Sequence, residues 1–230
     1  MNTPQIPVIA IDGPSASGKG TIAQLVAAKL GFHYLDSGAL YRLVALKTMQ
    51  SHTDTGDINR LTAIAKNLDT AFIDGQIFLD GAIVTDAIRA EQCGILASQL
   101  AAYPQVRAAL TERQRAFRQP PGLVTDGRDM GSVIFPDAML KIFLTASAEI
   151  RAQRRYNQLK EKGIDANITD LLQDIQKRDE RDSNRSVAPL QQGKDARLLD
   201  TTSLTISQAQ DTVLSWYNEI CARDQRLNAQ

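Results

Sequence analysis

The run Val8-Ile9-Ala10-Ile11-Asp12 leads straight into Gly13-Pro14-Ser15-Ala16-Ser17-Gly18-Lys19-Gly20-Thr21, and this junction narrows what the chain can fold into. Val8, Ile9 and Ile11 give the near-continuous apolar pattern of a parallel strand buried on both faces. Ile22, Leu25, Val26 and Leu30 recur at helical spacing, and Gly31 is placed to stop that helix. A glycine-rich turn between a buried strand and a helix is a phosphate cradle. Gly13 and Gly18 let backbone N–H groups converge on phosphate oxygens, Lys19 reaches the β- and γ-phosphates, and the helix adds the positive end of its dipole. A chance match to a short pattern is the alternative, and the strand and helix on either side weigh against it.

Further apolar runs at 33–35, 123–126, 140–145 and 198–200 join 8–12 as expected strands, with helical patterns between them. This alternation predicts an α/β fold: a five-stranded parallel sheet with flanking helices. Leu40, Leu43 and Val44 continue as a helix after Asp36-Ser37-Gly38. Pro104 suits the first turn of a helix carrying Val106, Leu110, Arg113 and Phe117. A last helix carries Ile206, Ala209, Val213, Trp216 and Ile220, and the chain is polar after about Arg223. Between 68 and 83 two Asp-Gly pairs separate short apolar runs, a hairpin signal that predicts a small antiparallel β lobe. Residues 151–162 (RAQRRYNQLKEK) form a basic helix ending at Gly163, with the composition of a mobile cover. The expected organisation is one chain built on a single nucleotide-binding core. Its core is 1–60, 105–150 and 186–230, its insertion about 61–104 with the β lobe at 68–84, and its lid about 151–165.

Formal net charge is zero, with 26 basic and 26 acidic residues, so no whole-protein field favours nucleic acid or membrane. No apolar run approaches the roughly 18–20 residues of a membrane span, and the N-terminus lacks the basic start of a signal peptide. A soluble, cytoplasmic monomer is expected. Cys93 and Cys221 are expected to be reduced thiols, being far apart and without a CxxC pattern. Seventeen arginines outnumber nine lysines, and twelve of them lie between Arg107 and Arg197. The planar guanidinium suits bidentate phosphate recognition, although a solvated, salt-bridged surface accounts for such clustering equally simply.

Three strings join the loop IDGPSASGKGT: LDSGALYR (35–42), DGRDMGSVIFPDA (126–138) and KRDERDSNRSVAPL (177–190). Together they resemble the bacterial cytidylate kinases, a family of P-loop nucleoside-monophosphate kinases, from about Val8 to Trp216. The GKGT ending is itself the form seen in such kinases. The resemblance implies transfer of a phosphoryl group from ATP, with Mg²⁺, to CMP or dCMP. It places ATP on Gly13, Pro14, Ser15, Ala16, Ser17, Gly18, Lys19, Gly20, Thr21 and Arg151. It places CMP on Ser37, Tyr41, Arg42, Ser98, Arg107, Arg128, Asp129, Arg178, Asp182 and Arg185. Lys19, Arg128, Asp129, Arg154 and Arg155 would serve the transfer itself. The base edge falls to Ser98, Arg107 and Asp129, whose donor and acceptor capacities suit cytosine. On their own, Ser98 and Arg107 read as helix-surface residues. Arg178, Asp182 and Arg185 fall at i, i+4 and i+7, the spacing of one helical face. Thr21 and Asp126 are the candidates near the metal, acting through water, and a turn role for Asp126 fits as well. Ala16-Ser17 departs from the commoner Gly-Ala, and Ala16 is expected at an ordinary φ, in a loop of the same shape but stiffer.

An adenylate- or shikimate-type kinase shares the loop alone; the DGRDMG and RDERDSNR strings argue against it. A nucleotide switch or transport ATPase lacks support from any NKxD or LSGGQ-type sequence.

Overall fold

The structure, a computed structural model, describes residues 5–73 and 75–228. In chain order the elements are β1 (Val8–Asp12), α1 (Lys19–Leu30), β2 (His33–Asp36), α2 (Ser37–Gln50) and α3 (Ile58–Lys66). There follow β3 (Thr70–Ile73), β4 (Gln76–Leu79), β5 (Ala82–Ile83), α4 (Glu91–Leu100), α5 (Pro104–Arg115) and β6 (Leu123–Gly127). The chain closes with β7 (Leu140–Thr145), α6 (Ala148–Glu161), α7 (Ile168–Asn184), β8 (Arg197–Asp200) and α8 (Ile206–Asn228). It separates into two compact units: residues 36–116 with 185–187, and the remainder.

The larger unit carries the five-stranded parallel sheet, in the order β2-β6-β1-β7-β8. β1 lies at its centre. Ile9 pairs with Val124 on one side and Leu140 on the other, so every residue of β1 is buried and an unbroken apolar run is required. Against the sheet, Ile22, Ala23, Val26 and Ala27 of α1 and Ala209 and Val213 of α8 pack onto Ile9, Ile11, Ile142 and Leu144. Leu25, expected on the buried stripe, faces outward because the two alanines give the closer approach to the sheet. The last helix continues through the polar stretch after Arg223 to Asn228. In such sheets ligands bind beyond the carboxyl ends of the strands, where β1 hands over to the glycine-rich turn.

The smaller unit is built from α2 to α5 and the antiparallel sheet β3-β4-β5. The β lobe expected at 68–84 is present, with Phe72 opposite Ile77 and Phe78 opposite Ile83. Asp80 (φ 51°) and Gly81 (φ 77°) both take the left-handed conformation that a tight two-residue hairpin needs. Asp74 of the other Asp-Gly pair lies outside the described residues. Arg113 ties the lobe to α5, donating to Leu68 O at 2.7 Å and Thr70 Oγ1 at 3.1 Å.

Candidate active site

The phosphate loop leaves β1 through Gly13, where a Cβ would stand 2.0 Å from Leu144 O; no other residue fits there. The loop enters α1 through Gly18, whose φ of 93° suits glycine, and no side chain caps that helix end. Two donors meet on one carbonyl: Lys19 Nζ and Ser17 Oγ each lie 3.0 Å from Pro14 O. Lys19 is buried.

The outer side of the loop is held by α6 and by the chain following β8. Arg151 donates to Ser15 O at 3.1 Å, and Arg154 donates to Ser17 O at 3.1 Å, where Thr201 Oγ1 also donates at 3.3 Å. Arg154 is anchored further by Thr201 O at 2.6 Å, and Arg151 by Ala146 O at 2.9 Å. In a trans peptide the C=O and the next N–H point opposite ways. Fixing the Ser15 and Ser17 carbonyls toward the arginines therefore turns the Ala16 and Gly18 N–H groups away from them. The arginines shape the cradle through its backbone. Burial lowers the Arg154 pKa below its ordinary value, opposed by the Asp200 carboxylate.

Ala16 departs from expectation. Its φ is 57°, left-handed rather than ordinary, so the alanine occupies a glycine conformation at some cost in strain. α6 also differs from a solvated cover at its start: Ser147 caps it, accepting from Ile150 N, and Arg151 and Ala152 are buried. Arg155, one residue beyond Arg154, is half-buried.

Asp126 ends near the mouth of the loop. It is buried, accepts from Tyr34 OH at 2.6 Å, and its Oδ2 would lie 3.5 Å from a Cβ placed at Gly20. That sets a carboxylate beside the first turn of α1, which also carries Thr21. Among the described residues no group of three His, Cys, Asp or Glu side chains could hold a metal unaided. One hydroxyl and one carboxylate instead fit an Mg²⁺ that takes its remaining ligands from phosphates and water.

Arg128 and Asp129 follow β6. Arg128 Nε donates to Asp182 Oδ2 at 2.9 Å, a well-buried ion pair with α7. Asp129 is buried at the start of a π-helical turn, Met130–Ile134, and its carbonyl accepts from Val133 and Ile134. Such turns often mark functional positions. Arg178 lies one turn before Asp182 on α7. Arg185 lies one residue past the end of α7 at Asn184, after which the chain turns back so that Leu190 N donates to Asp182 O.

In the smaller unit Asp36 caps α2, accepting from Ala39 N at 3.0 Å, and Ser37 and Tyr41 lie buried on its first turns. Arg42 donates to Ile88 O at 2.8 Å. Its guanidinium lies across Gly94 of α4, where a Cβ would come within 2.8 Å of Nη2. Ser98, one turn beyond Gly94, is buried, as is Arg107 on α5. Neither is the surface residue that its helix pattern suggests.

Four residues close to these sites escape a reading of the sequence alone. Tyr34, Asp179 and Thr201 carry no local signal. Asp12 carries one: a carboxylate ending an otherwise apolar strand. It accepts from Met130 N and Gly131 N, each at 2.8 Å, tying β1 to the turn after Asp129. Burial pushes its pKa up to about 6, and nearby Asp129 adds to this, against those two N–H donors and Arg128. The thiols of Cys93 and Cys221 are free, as expected, and no described helix is long and apolar enough to cross a membrane.

The family model for cytidylate kinase matches residues 9–219. The cytidylate kinase of Polynucleobacter asymbioticus is 60% identical over 94% of this chain and 99% of its own length. That of Nitrosomonas europaea is 60% identical over 95% of this chain and 98% of its own. For the Burkholderia mallei cytidylate kinase the figures are 58%, 93% and 94%. With a match this long to a phosphate loop, a DGRD turn and an RDERD helix all in place, the chain belongs to the cytidylate kinase family.

Proposed function

We propose that the chain transfers the γ-phosphoryl group of ATP to CMP or dCMP, giving ADP and CDP or dCDP. The observation that carries this is the phosphate loop with its carbonyls held by Arg151 and Arg154, in a chain 60% identical to a cytidylate kinase along 94% of its length. An oxygen of the CMP phosphate attacks the γ-phosphorus in line, the bond to the β-phosphate oxygen breaks, and ADP leaves. The protein's task is positioning and charge neutralisation.

The backbone N–H groups of residues 15–18 and Lys19 hold the ATP phosphates, on a turn shaped by Gly13 and Pro14 and continued by Gly20 and Thr21. A phosphate is a charged acceptor and outcompetes Pro14 O for the ammonium. Thr21 and Asp126 would hold Mg²⁺ through water, where it would offset charge on the phosphate oxygens. Arg42 and Arg128 take the acceptor phosphate with the Ser37 hydroxyl, Arg185 joins on closure, Arg178 and Asp182 take the sugar and phosphate end, and Tyr41 completes the CMP-binding set. Ser98, Arg107 and Asp129 read the cytosine edge. Arg154 and Arg155 face the moving phosphoryl group on closure, with 151–165 as the lid and 61–104 as the acceptor-binding insertion on a core of 1–60, 105–150 and 186–230. The chain acts as a cytoplasmic monomer, and the lack of nucleic-acid or membrane partners accords with a net charge of zero.

ADP release is measured with ATP and Mg²⁺ against CMP, dCMP, UMP, AMP, GMP and shikimate. Turnover should require CMP or dCMP. Equal turnover without any acceptor, or a preference for AMP or shikimate, refutes the proposal.

A further inference from the structure

Three charged residues, Asp179, Glu180 and Arg181, lie between Arg178 and Asp182 on α7, and the proposed function gives none of them a task. Asp179 projects about 100° around the helix from Arg178. Its Oδ2 lies 2.6 Å from Nη1 of Arg151. The same nitrogen donates to Ser15 O, and Nε of Arg151 donates to Ala146 O. A guanidinium nitrogen carries two hydrogens, so it can serve a carboxylate and a carbonyl together. One atom thus connects the helix bearing Arg178 and Asp182 to the loop bearing Lys19.

The pair is poorly arranged for stability alone. It is monodentate, and Asp179 Oδ1 is buried without a hydrogen bond among the described residues. An unmet buried acceptor is destabilising, and a buried ion pair contributes less than apolar packing of the same volume. What the pair does provide is a fixed direction for the Ser15 carbonyl, and hence for the Ala16 N–H of the same peptide unit. Ala16 sits at a strained φ of 57°, so the active shape of the loop competes with relaxed ones and needs an external hold.

We propose that Asp179 is a positioning residue that couples the two substrates: by holding Arg151 against the Ser15 carbonyl, it makes the shape of the phosphate loop depend on the placement of α7, and so on CMP. This rests on Arg178 and Asp182 binding CMP. Coupling of this kind is reciprocal, so CMP must tighten the ATP site by the factor by which ATP tightens the CMP site.

Calorimetry of a non-hydrolysable ATP analogue with Mg²⁺, without and with saturating CMP, tests the link in the wild type, Asp179→Asn, Asp179→Glu and Asp182→Asn. Wild-type coupling of about five- to tenfold is expected, at the lower end of the usual range. Asp179→Asn should bind CMP alone as the wild type does while its coupling factor falls to near one, and Asp179→Glu should recover part of it. A wild-type factor near one, or full coupling in Asp179→Asn, overturns the proposal. Asp182→Asn reports separately on the acceptor assignment: unchanged CMP affinity there refutes that assignment whatever Asp179→Asn does. A second readout needs no variant. CMP alone should slow amide exchange at residues 15–18 of the wild type, and unchanged exchange there also overturns the coupling.

Discussion

The phosphate loop of the larger unit and the Arg42 shelf of the smaller one use the same parts in opposite roles. In the loop, arginines grip backbone carbonyls at Ser15 and Ser17, and the backbone N–H groups are left to bind. On the shelf, a backbone carbonyl at Ile88 grips the arginine and so fixes the guanidinium that the proposed function assigns to the acceptor phosphate. Glycine makes room in both, at Gly13 against Leu144 O and at Gly94 beneath Arg42. Where the backbone is the binding group, the working residues must be contiguous. Where a braced side chain is the binding group, its supports can come from anywhere in the fold.

If the loop binds through its amides and one ammonium, Lys19→Ala should remove the largest single contribution. A fall in kcat of about 10²–10³ is expected with the fold intact, since Ser17 still bridges to Pro14 O. Near-normal kcat in a folded variant would take the loop out of the mechanism.

The shelf makes the converse forecast. Gly94→Ala improves the intrinsic helix propensity of α4 by up to about 1 kcal/mol but displaces the guanidinium of Arg42. KM for CMP should rise by about tenfold or more while KM for ATP holds, and the melting temperature should not fall. A steady KM for CMP would mean that Arg42 does not grip the acceptor. Loss of stability would mean that Gly94 serves packing instead.

Asp12 sharpens the contrast, since its carboxylate braces the turn after Asp129 from within the core. Its pKa is raised from the ordinary 3.8 to about 6, so the folded protein holds a proton between those values that the unfolded chain has released. Its contribution to stability is therefore full below about 4 and is lost as pH rises through about 6, by up to about 3 kcal/mol. Denaturant unfolding at several pH values should show the wild type losing stability relative to Asp12→Asn as pH climbs from 4 to 7. Parallel curves would show that Asp12 does not titrate in this window.

The smallest effect is expected at Ala16. Glycine there relieves a left-handed φ, and Ala16→Gly should raise stability by up to about 1 kcal/mol, or roughly 2–4 °C in Tm. A lowered Tm would show that the unfolded-state entropy of glycine outweighs the strain.

Most of the sheet was legible in the residue order because β1 and β6 are buried throughout and β7 on alternate residues, so their apolar runs need no distant partner to be seen. The same holds for the loop: a contiguous string, with glycines where backbone must pass close to backbone, encodes its own geometry. The β lobe was legible for a local reason too, since Asp80-Gly81 can supply the left-handed pair that its turn requires.

Tertiary structure alone decided everything that depends on a second segment. Ser98 and Arg107 look like surface positions by periodicity, yet both are buried. Arg185 keeps helical spacing from Asp182, yet the helix stops at Asn184. Ala16 takes a glycine conformation that its side chain disfavours, in a loop whose carbonyls are held by residues more than 130 positions away. Local sequence determines what a segment prefers. A part-buried hydrogen bond from a distant guanidinium decides which of its less-preferred states is kept, because the bond offsets the strain.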